Sequence, residues 1–365
     1  MNRSLYDLDQ DDWAELLSDQ PAYRREQIWR GIYEQHSDIE DLSTLPKALR
    51  SRLVEAAPRA LQLVTESVSD GGETIKFLWE LHDGARVETV LMHYRDRSTV
   101  CVSSQAGCAM ACSFCATGQA GFTRHLSAGE IIEQVVRSQQ RAMAQSTMTE
   151  RDDCDTTARR VSNIVYMGMG EPLANLSATL RAAHTIRDHL GIGARHQTIS
   201  TVGIVPGILK LADEPLQVGL AVSLHAANNT LRDSLVPINR RYPIETLMEA
   251  CAAYVDATHR RLSFEWAMID GTNDSLRDAD ELARLARPLA AHVNLIPLNT
   301  TPGYPVSGSS RETIRAFVGR LEDKGVNVTV RDTRGSDIDA ACGQLKTNAV
   351  SMTLPVKLPV RLRSR

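Results

Sequence analysis

Two hydrophobic periods divide this chain. Up to about residue 58 the apolar positions recur at helical spacing. Trp13, Leu16 and Leu17 follow Asp9; Ile28, Trp29, Ile32 and Tyr33 follow Pro21; Leu49 and Leu53 follow Pro46, a proline placed where a first helical turn accepts one. A small helical module is expected there. From Arg59 the period shortens towards two. Asp70-Gly71-Gly72 and Asp83-Gly84 are hairpin-type turns that separate predicted strands at 61–67, 75–81 and 87–93, a short antiparallel meander. From Thr99 onward strand-like and helix-like segments alternate. Strands are predicted at 100–103, 163–167, 197–200, 218–224, 262–269, 293–297 and 326–331. Helical patterns lie between most of them, for example at 128–139, 176–189 and 311–324. Repeated βα units predict a parallel sheet or barrel with its chemistry at the C-terminal ends of the strands. Residues 144–159 are polar and aperiodic and read as a surface insertion, with Cys154 a bystander.

Composition narrows the class. The 365 residues suffice for one large α/β domain and a smaller accessory one. No apolar run approaches the roughly 20 residues of a membrane span. The start, Met1-Asn2-Arg3-Ser4-Leu5-Tyr6-Asp7, has no signal-peptide core, so a cytoplasmic protein without a membrane partner is expected. A net charge of −4 argues only weakly against nucleic acid, because bulk charge does not describe a patch. The first 20 residues carry six acids and one base, Arg3; the last 11 carry Lys357, Arg361, Arg363 and Arg365 and no acid. Seven cysteines do not make a secreted disulfide framework. Four of them fall between Cys101 and Cys115, which points to metal or redox chemistry.

The central motif is Cys108-Ala109-Met110-Ala111-Cys112-Ser113-Phe114-Cys115, a CxxxCxxC placed just after a predicted strand. Three thiolates on one loop can hold three corners of an iron–sulfur cubane and leave the fourth iron open to a substrate. Zinc would want a fourth Cys or His, and usually a second CxxC pair at a distance, which this chain lacks. The spacing, with Phe114 before the last cysteine, resembles the radical-SAM superfamily. The flanks carry the resemblance further: Cys101-Val102-Ser103-Ser104-Gln105, Gly121-Phe122-Thr123-Arg124, Met167-Gly168-Met169-Gly170-Glu171-Pro172-Leu173, Ser200-Thr201, Ser223-Leu224-His225, Val236-Pro237-Ile238-Asn239 and the run from Arg334 to Leu345. Together, from about Pro21 to Leu345, they resemble the RlmN family, radical-SAM adenosine methyltransferases of 23S rRNA and tRNA.

The resemblance implies a partial (β/α) barrel of the radical-SAM type. It implies a helical, RNA-binding accessory domain at 1–58, an antiparallel β linker at 59–93, a radical-SAM core at 94–337 and a C-terminal segment at 338–365. It implies one 4Fe–4S cluster on Cys108, Cys112 and Cys115, and S-adenosylmethionine (SAM) held by Gly170, Glu171, Ser200, Ser223, Leu224, His225 and Asn299. The glycine-rich turn at 168–171 fits that task physically, since it lets backbone and carboxylate approach the aminoacyl end of SAM.

The reaction implied is methylation of carbon 2 of an adenosine, in 23S rRNA and next to the anticodon in some tRNAs. That carbon is electron-poor and is no nucleophile. The family therefore uses a carrier thiol, a role that falls here on Cys342. A first SAM methylates it. A second SAM yields a 5′-deoxyadenosyl radical that takes a hydrogen from the S-methyl group, and the carbon radical adds to adenine. Cys101 resolves the adduct through a Cys101–Cys342 disulfide, which an external reductant reopens. Glu88, the one acid in a largely apolar strand, matches the family's proton acceptor. The partners implied are RNA and a flavodoxin-like electron donor, with the chain a monomer. Arg24, Arg25, Arg30, Tyr23 and Trp29 offer a surface for the RNA backbone. Two other readings compete. A carbon 8 methyltransferase shares the cluster and both cysteines, but Glu171-Pro172, Gly121-Phe122-Thr123-Arg124 and Thr333-Arg334-Gly335 look more like the carbon 2 family. A non-catalytic zinc-binding RNA module predicts a colourless protein that releases no deoxyadenosine.

Overall fold

One sheet organises the chain. The computed structural model describes residues 3–148, 160–299, 306–331, 335–340 and 343–345. Ten strands lie in the order β1-β2-β3-β4-β7-β8-β9-β10-β11-β12. The first three, β1 (Leu61–Ser69), β2 (Thr74–Leu81) and β3 (Arg86–His93), run antiparallel and join β4 (Ser98–Cys101) edge to edge. From β4 onward the pairing is parallel: β7 (Val161–Tyr166), β8 (Gln197–Thr201), β9 (Gly219–Ser223), β10 (Leu262–Met268), β11 (His292–Pro297) and β12 (Val328–Val330). The order is linear, with β1 and β12 at its ends, so the barrel is partial, as expected. The meander is thus continuous with the parallel sheet. A two-stranded hairpin, β5 (Gln105–Gly107) with β6 (Phe122–His125), was too short to show a period in the sequence.

The helices are α1 (Gln10–Leu16), α2 (Tyr23–Trp29), α3 (Lys47–Ala56), α4 (Ala116–Ala120), α5 (Ala128–Met148), α6 (Leu176–His189), α7 (Val205–Ala212), α8 (Asn229–Leu235), α9 (Ile244–Thr258), α10 (Leu276–Ala286) and α11 (Arg311–Asp323). Their starts follow local chemistry. Asp9 and Ser275 form capping boxes on α1 and α10, and the side chains of Asn228 and Ser310 cap α8 and α11. The expected insertion at 144–159 is corrected over its first part, because α5 runs on to Met148. The helix keeps a tertiary face there through hydrogen bonds. The Gln145 amide meets the His93 ring at 2.8 Å and donates to the Gly72 carbonyl at 3.1 Å. Cys154 lies outside the described residues.

The register separates the two faces of the sheet. Lys76 pairs with Val90, Val90 with Cys101, Cys101 with Val165, Val165 with Thr198, and Thr198 with Gly219. Side chains alternate along a strand, so these positions and those two residues away share one face. That inner face carries Lys76, Glu88, Cys101, Ser200, Ser223, Glu265 and Asn294. The other face carries Val100, Ile164, Ile199, Leu220, Val222, Phe264, Trp266, Val293 and Leu295. Each of these is at most 1% exposed, because the helices cover them.

Candidate active site

The three-cysteine loop spans the β5–β6 connection. Its base is closed where Cys108 N–H donates to the Gly121 carbonyl at 2.7 Å. Gly107 permits this approach: its φ is +76°, and a Cβ there would sit 2.1 Å from that same carbonyl oxygen. Ser113 N–H donates to the Leu235 carbonyl at 3.1 Å, which ties the loop to the end of α8.

Cys108, Cys112 and Cys115 line one cavity, with about 1070 Å³ of empty space. Gly170, Glu171, Ser200, Ser223, His225 and Asn299 line the same cavity, so nearly all the cofactor residues expected from sequence meet there. Leu224 does not. Its side chain is fully buried in the core, and it contributes backbone, donating N–H to the Glu265 carbonyl at 3.1 Å. The donor set suits an iron–sulfur cluster. Burial pushes the Cys108 thiol up to about 12 and raises Cys112 as well. Thiolates in so dry a wall need positive partners, which a cluster's irons supply. Among the described residues no three His, Cys, Asp or Glu side chains converge as ligands of a single ion would. The thiols instead are spread over one loop and face one cavity.

Gly170 ends the β7 turn with φ +101°, and a Cβ there would lie 2.6 Å from the Gln105 side chain. Glu171 is a clasp. Its carboxylate accepts from Leu173 N–H at 3.0 Å and Val202 N–H at 2.8 Å, while its own N–H donates to Gln105 Oε1 at 2.8 Å. Burial raises its carboxyl to about 7 against those hydrogen bonds. The carboxylate thus joins the ends of β7 and β8. His225 acts similarly. Its residue is left-handed at φ +57°, and its Nδ1 accepts from Ala267 N–H at 3.0 Å. Burial lowers the ring to about 3, so it is neutral, with its proton on Nε2. Its edge meets Phe114 at 4.6 Å between ring centroids.

Sequence reading missed Arg232. It is fully buried, and its guanidinium donates to the carbonyls of Val202 (2.6 Å) and Leu224 (3.1 Å) and to Asn239 Oδ1 (2.9 Å). Five donors in a fixed fork brace the ends of β8 and β9. In the sequence Leu231-Arg232-Asp233 looks like any solvated helix face. Glu265 was also missed. It lines the cavity and is bonded to Asn294 Nδ2 at 2.8 Å.

Glu88 and Cys101 are buried on the inner face, beside the cavity lining rather than in it. Lys76 Nζ is 3.1 Å from Glu88 Oε1. Ser103 Oγ donates to the Glu88 carbonyl at 2.6 Å and accepts from Met169 N–H at 2.9 Å, joining β3 to the glycine-rich turn. Cys342, and with it any bond to Cys101, lies outside the described residues. Its neighbour Gly343 lines the cavity, and the Gly343 carbonyl accepts from Ala116 N–H at 2.8 Å. In the N-terminal module Arg24 is bonded to Gln27 and the Thr44 carbonyl, and Arg30 pairs with Glu34 at 3.4 Å. Trp29 packs on Tyr33 and His189, while Tyr23 is exposed.

A cavity walled by three loop cysteines at the C-terminal ends of parallel strands has close counterparts. The model of the radical SAM superfamily matches residues 102–286. The crystal structure of a radical SAM methyltransferase from Sphaerobacter thermophilus superposes with a TM-score of 0.88 at 49% identity, covering 94% of this chain and 99% of that one. The chain belongs to the radical SAM superfamily and is an enzyme whose cofactors are a 4Fe–4S cluster and SAM. A relative from Parafrankia sp. (strain EAN1pec) is 51% identical over 353 residues, 94% of this chain and 91% of its own. One from Chloroflexus aurantiacus is 46% identical over 374 residues, 97% of each. Both are named probable dual-specificity RNA methyltransferase RlmN, and this chain is a member of the RlmN family.

Proposed function

We propose that the chain methylates carbon 2 of an adenosine in 23S rRNA and of an adenosine next to the anticodon in some tRNAs. The observation that carries this reading is the shared cavity, where the three thiols, the ends of β7–β11 and the residue after Cys342 meet. Cys108, Cys112 and Cys115 would hold the cluster, which with SAM bound would supply the one-electron cleavage that gives a 5′-deoxyadenosyl radical. The chain's own residues do the rest. The Gly170–Glu171 backbone, the Ser200 and Ser223 hydroxyls, the His225 segment and Asn299 hold SAM. Cys342 carries the methyl carbon, which gives one hydrogen to the radical and bonds to adenine carbon 2; Glu88 takes the ring proton, and the electron left unpaired by that bond would return to the cluster. Attack of the Cys101 thiolate on the Cys342 sulfur breaks the sulfur–carbon bond of the adduct. The bonding electrons stay on carbon, which takes a proton and leaves as methyl. The disulfide formed is reopened by an external dithiol, and a flavodoxin-like partner supplies single electrons.

The helical module with Tyr23, Arg24, Arg25, Trp29 and Arg30 forms part of the RNA surface in this reading, and the enzyme works as a monomer in the cytoplasm. Among the described residues no helix is long and apolar enough to cross a membrane. The deciding experiment offers rRNA and tRNA separately to the reconstituted enzyme and digests each to nucleosides. 2-Methyladenosine is expected from both; 8-methyladenosine would overturn the reading. Cys342→Ala should bind iron as before, lack the S-methyl group and transfer no methyl.

A further inference from the structure

We propose that Lys76 is a positioning residue that fixes the proton acceptor Glu88 against the segment carrying Cys342. The proposal rests on the roles given above to those two residues. The Lys76 ammonium is held at two points. It lies 3.1 Å from Glu88 Oε1 and donates to the Asp339 carbonyl at 3.2 Å. The Lys76 side chain is 13% exposed and that of Glu88 4%. Cross-strand register puts both on the inner face with Cys101, since Lys76 pairs with Val90 and Val90 with Cys101. Among the described residues, the charged groups nearest this pair are the Arg86–Glu80 pair, two residues along β3, and Asp337 and Asp339 on the docked segment, while Glu265 lies farther along the same face on β10.

The segment is anchored on both sides of Cys342. Before it, Gly335 N–H donates to Asp70 Oδ2 at 3.2 Å, Ser69 Oγ bonds the Asp337 carboxylate, and Lys76 takes the Asp339 carbonyl. After it, the Gly343 carbonyl accepts from Ala116 N–H at 2.8 Å and the Leu345 carbonyl from Thr117 Oγ1 at 2.6 Å. The second pair of anchors belongs to α4, which begins directly after Cys115. One end of the carrier segment is therefore tied to the cluster loop and the other to Glu88.

Replacing a largely buried ion pair as a whole by apolar side chains often leaves stability unchanged or higher, whereas removing one partner strands the other charge. The Lys76–Glu88 pair is thus a weak device for stability and a good one for geometry. One group with three donors sets the distance between the carboxylate that takes a proton and the backbone that delivers the carbon. Errors of about 1 Å in such a distance cost about 10²-fold in rate.

The test is a double-mutant cycle on the cluster-loaded enzyme, with Lys76→Met, Glu88→Gln and both together. It reads single-turnover methyl transfer, KM for RNA, iron content and the S-methyl mass on Cys342. Lys76→Met should lose about 10²-fold in kcat with KM, iron content and S-methylation unchanged. The double variant should be no slower than Glu88→Gln alone. Lys76→Arg should recover part of the rate, and only when Glu88 is present. Thr117→Val, which loosens the other anchor, should multiply with Glu88→Gln. Wild-type kcat in Lys76→Met would overturn the proposal, as would multiplicative losses in the Lys76–Glu88 cycle. If Lys76→Met loses iron, Lys76→Arg carries the same cycle, and multiplicative losses there overturn it equally. If Glu88→Gln alone keeps wild-type kcat, the role given to Glu88 has failed, and a slow Lys76→Met would then overturn the coupling as well.

Discussion

The outer and inner faces of the ten-stranded sheet are built from the same strands and differ in almost everything else. On the outer face Val100, Ile164, Leu220, Phe264, Trp266 and Leu295 are sealed under helices. On the inner face the same strands present Lys76, Glu88, Cys101, Ser200, Ser223, Glu265 and Asn294. A closed barrel of this strand number would fill its interior with apolar layers. Here the sheet stays open, and its inner side is free to carry polar groups, with Lys76 tied to Glu88 and Asn294 to Glu265. Stability resides on one face and chemistry on the other. The helices and outer face hold the sheet's curvature, and the inner face spends that rigidity on holding groups in place.

The comparison breaks most sharply at the cluster loop. Cys112→Ser removes a thiol from the cavity wall and leaves the outer face untouched. Methyl transfer and 5′-deoxyadenosine release should fall below detection, iron content should drop, and the thermal midpoint of the apo-protein should stay near wild type. Trp266→Ala makes the opposite cut. Trp266 is fully buried on the outer face against Phe317, and its loss should cost about 3–5 kcal/mol of stability. At a temperature where the variant is folded, its KM for SAM should match wild type. A Trp266 variant with wild-type stability would mean that the outer face is not the stabilising one.

Much of this division was legible in the sequence, because alternation and motif order both write themselves along the chain. The meander, the βα repeat and the three cysteines fall where the pattern puts them. Strand ends did not. Residues 100–103 read as a strand, whereas β4 stops at Cys101. Val102 and Ser103 instead pack beneath the glycine-rich turn, where Ser103 bridges Glu88 and Met169. Arg232 and Lys76 were illegible for a common reason. A basic residue in an amphipathic stretch looks solvated until the tertiary partners that bury it are known, here the strand-end carbonyls for Arg232 and Glu88 with Asp339 for Lys76. The end of α5 was hidden because Gln145 is held there by hydrogen bonds to His93 and Gly72, which leave no apolar period to read.

Glu133 is an acid on the apolar side of the sheet. It lies on α5 and is buried. Its carboxylate accepts from Ala60 N–H at 2.8 Å and Leu61 N–H at 3.4 Å, where the chain enters β1. Burial raises its carboxyl to about 7, against those two donors and the nearby Arg137. The folded state therefore holds this proton more tightly than the unfolded chain, whose glutamates titrate at about 4.3. Below that value Glu133 is neutral in both states and adds no pH dependence. As pH rises towards about 7 the unfolded chain ionises first, and stability falls, by at most ~4 kcal/mol over the whole window. Above about 7 the loss is complete and flat. Glu133→Gln keeps an acceptor for the strand start and cannot ionise, so its stability at pH 8 relative to pH 5 should fall less than that of the wild type. Urea midpoints of the apo-proteins at the two pH values measure the difference. Because Glu133 sits on the outer side, kcat for methyl transfer should be the same in both proteins; a changed kcat would show that the two faces are coupled through α5.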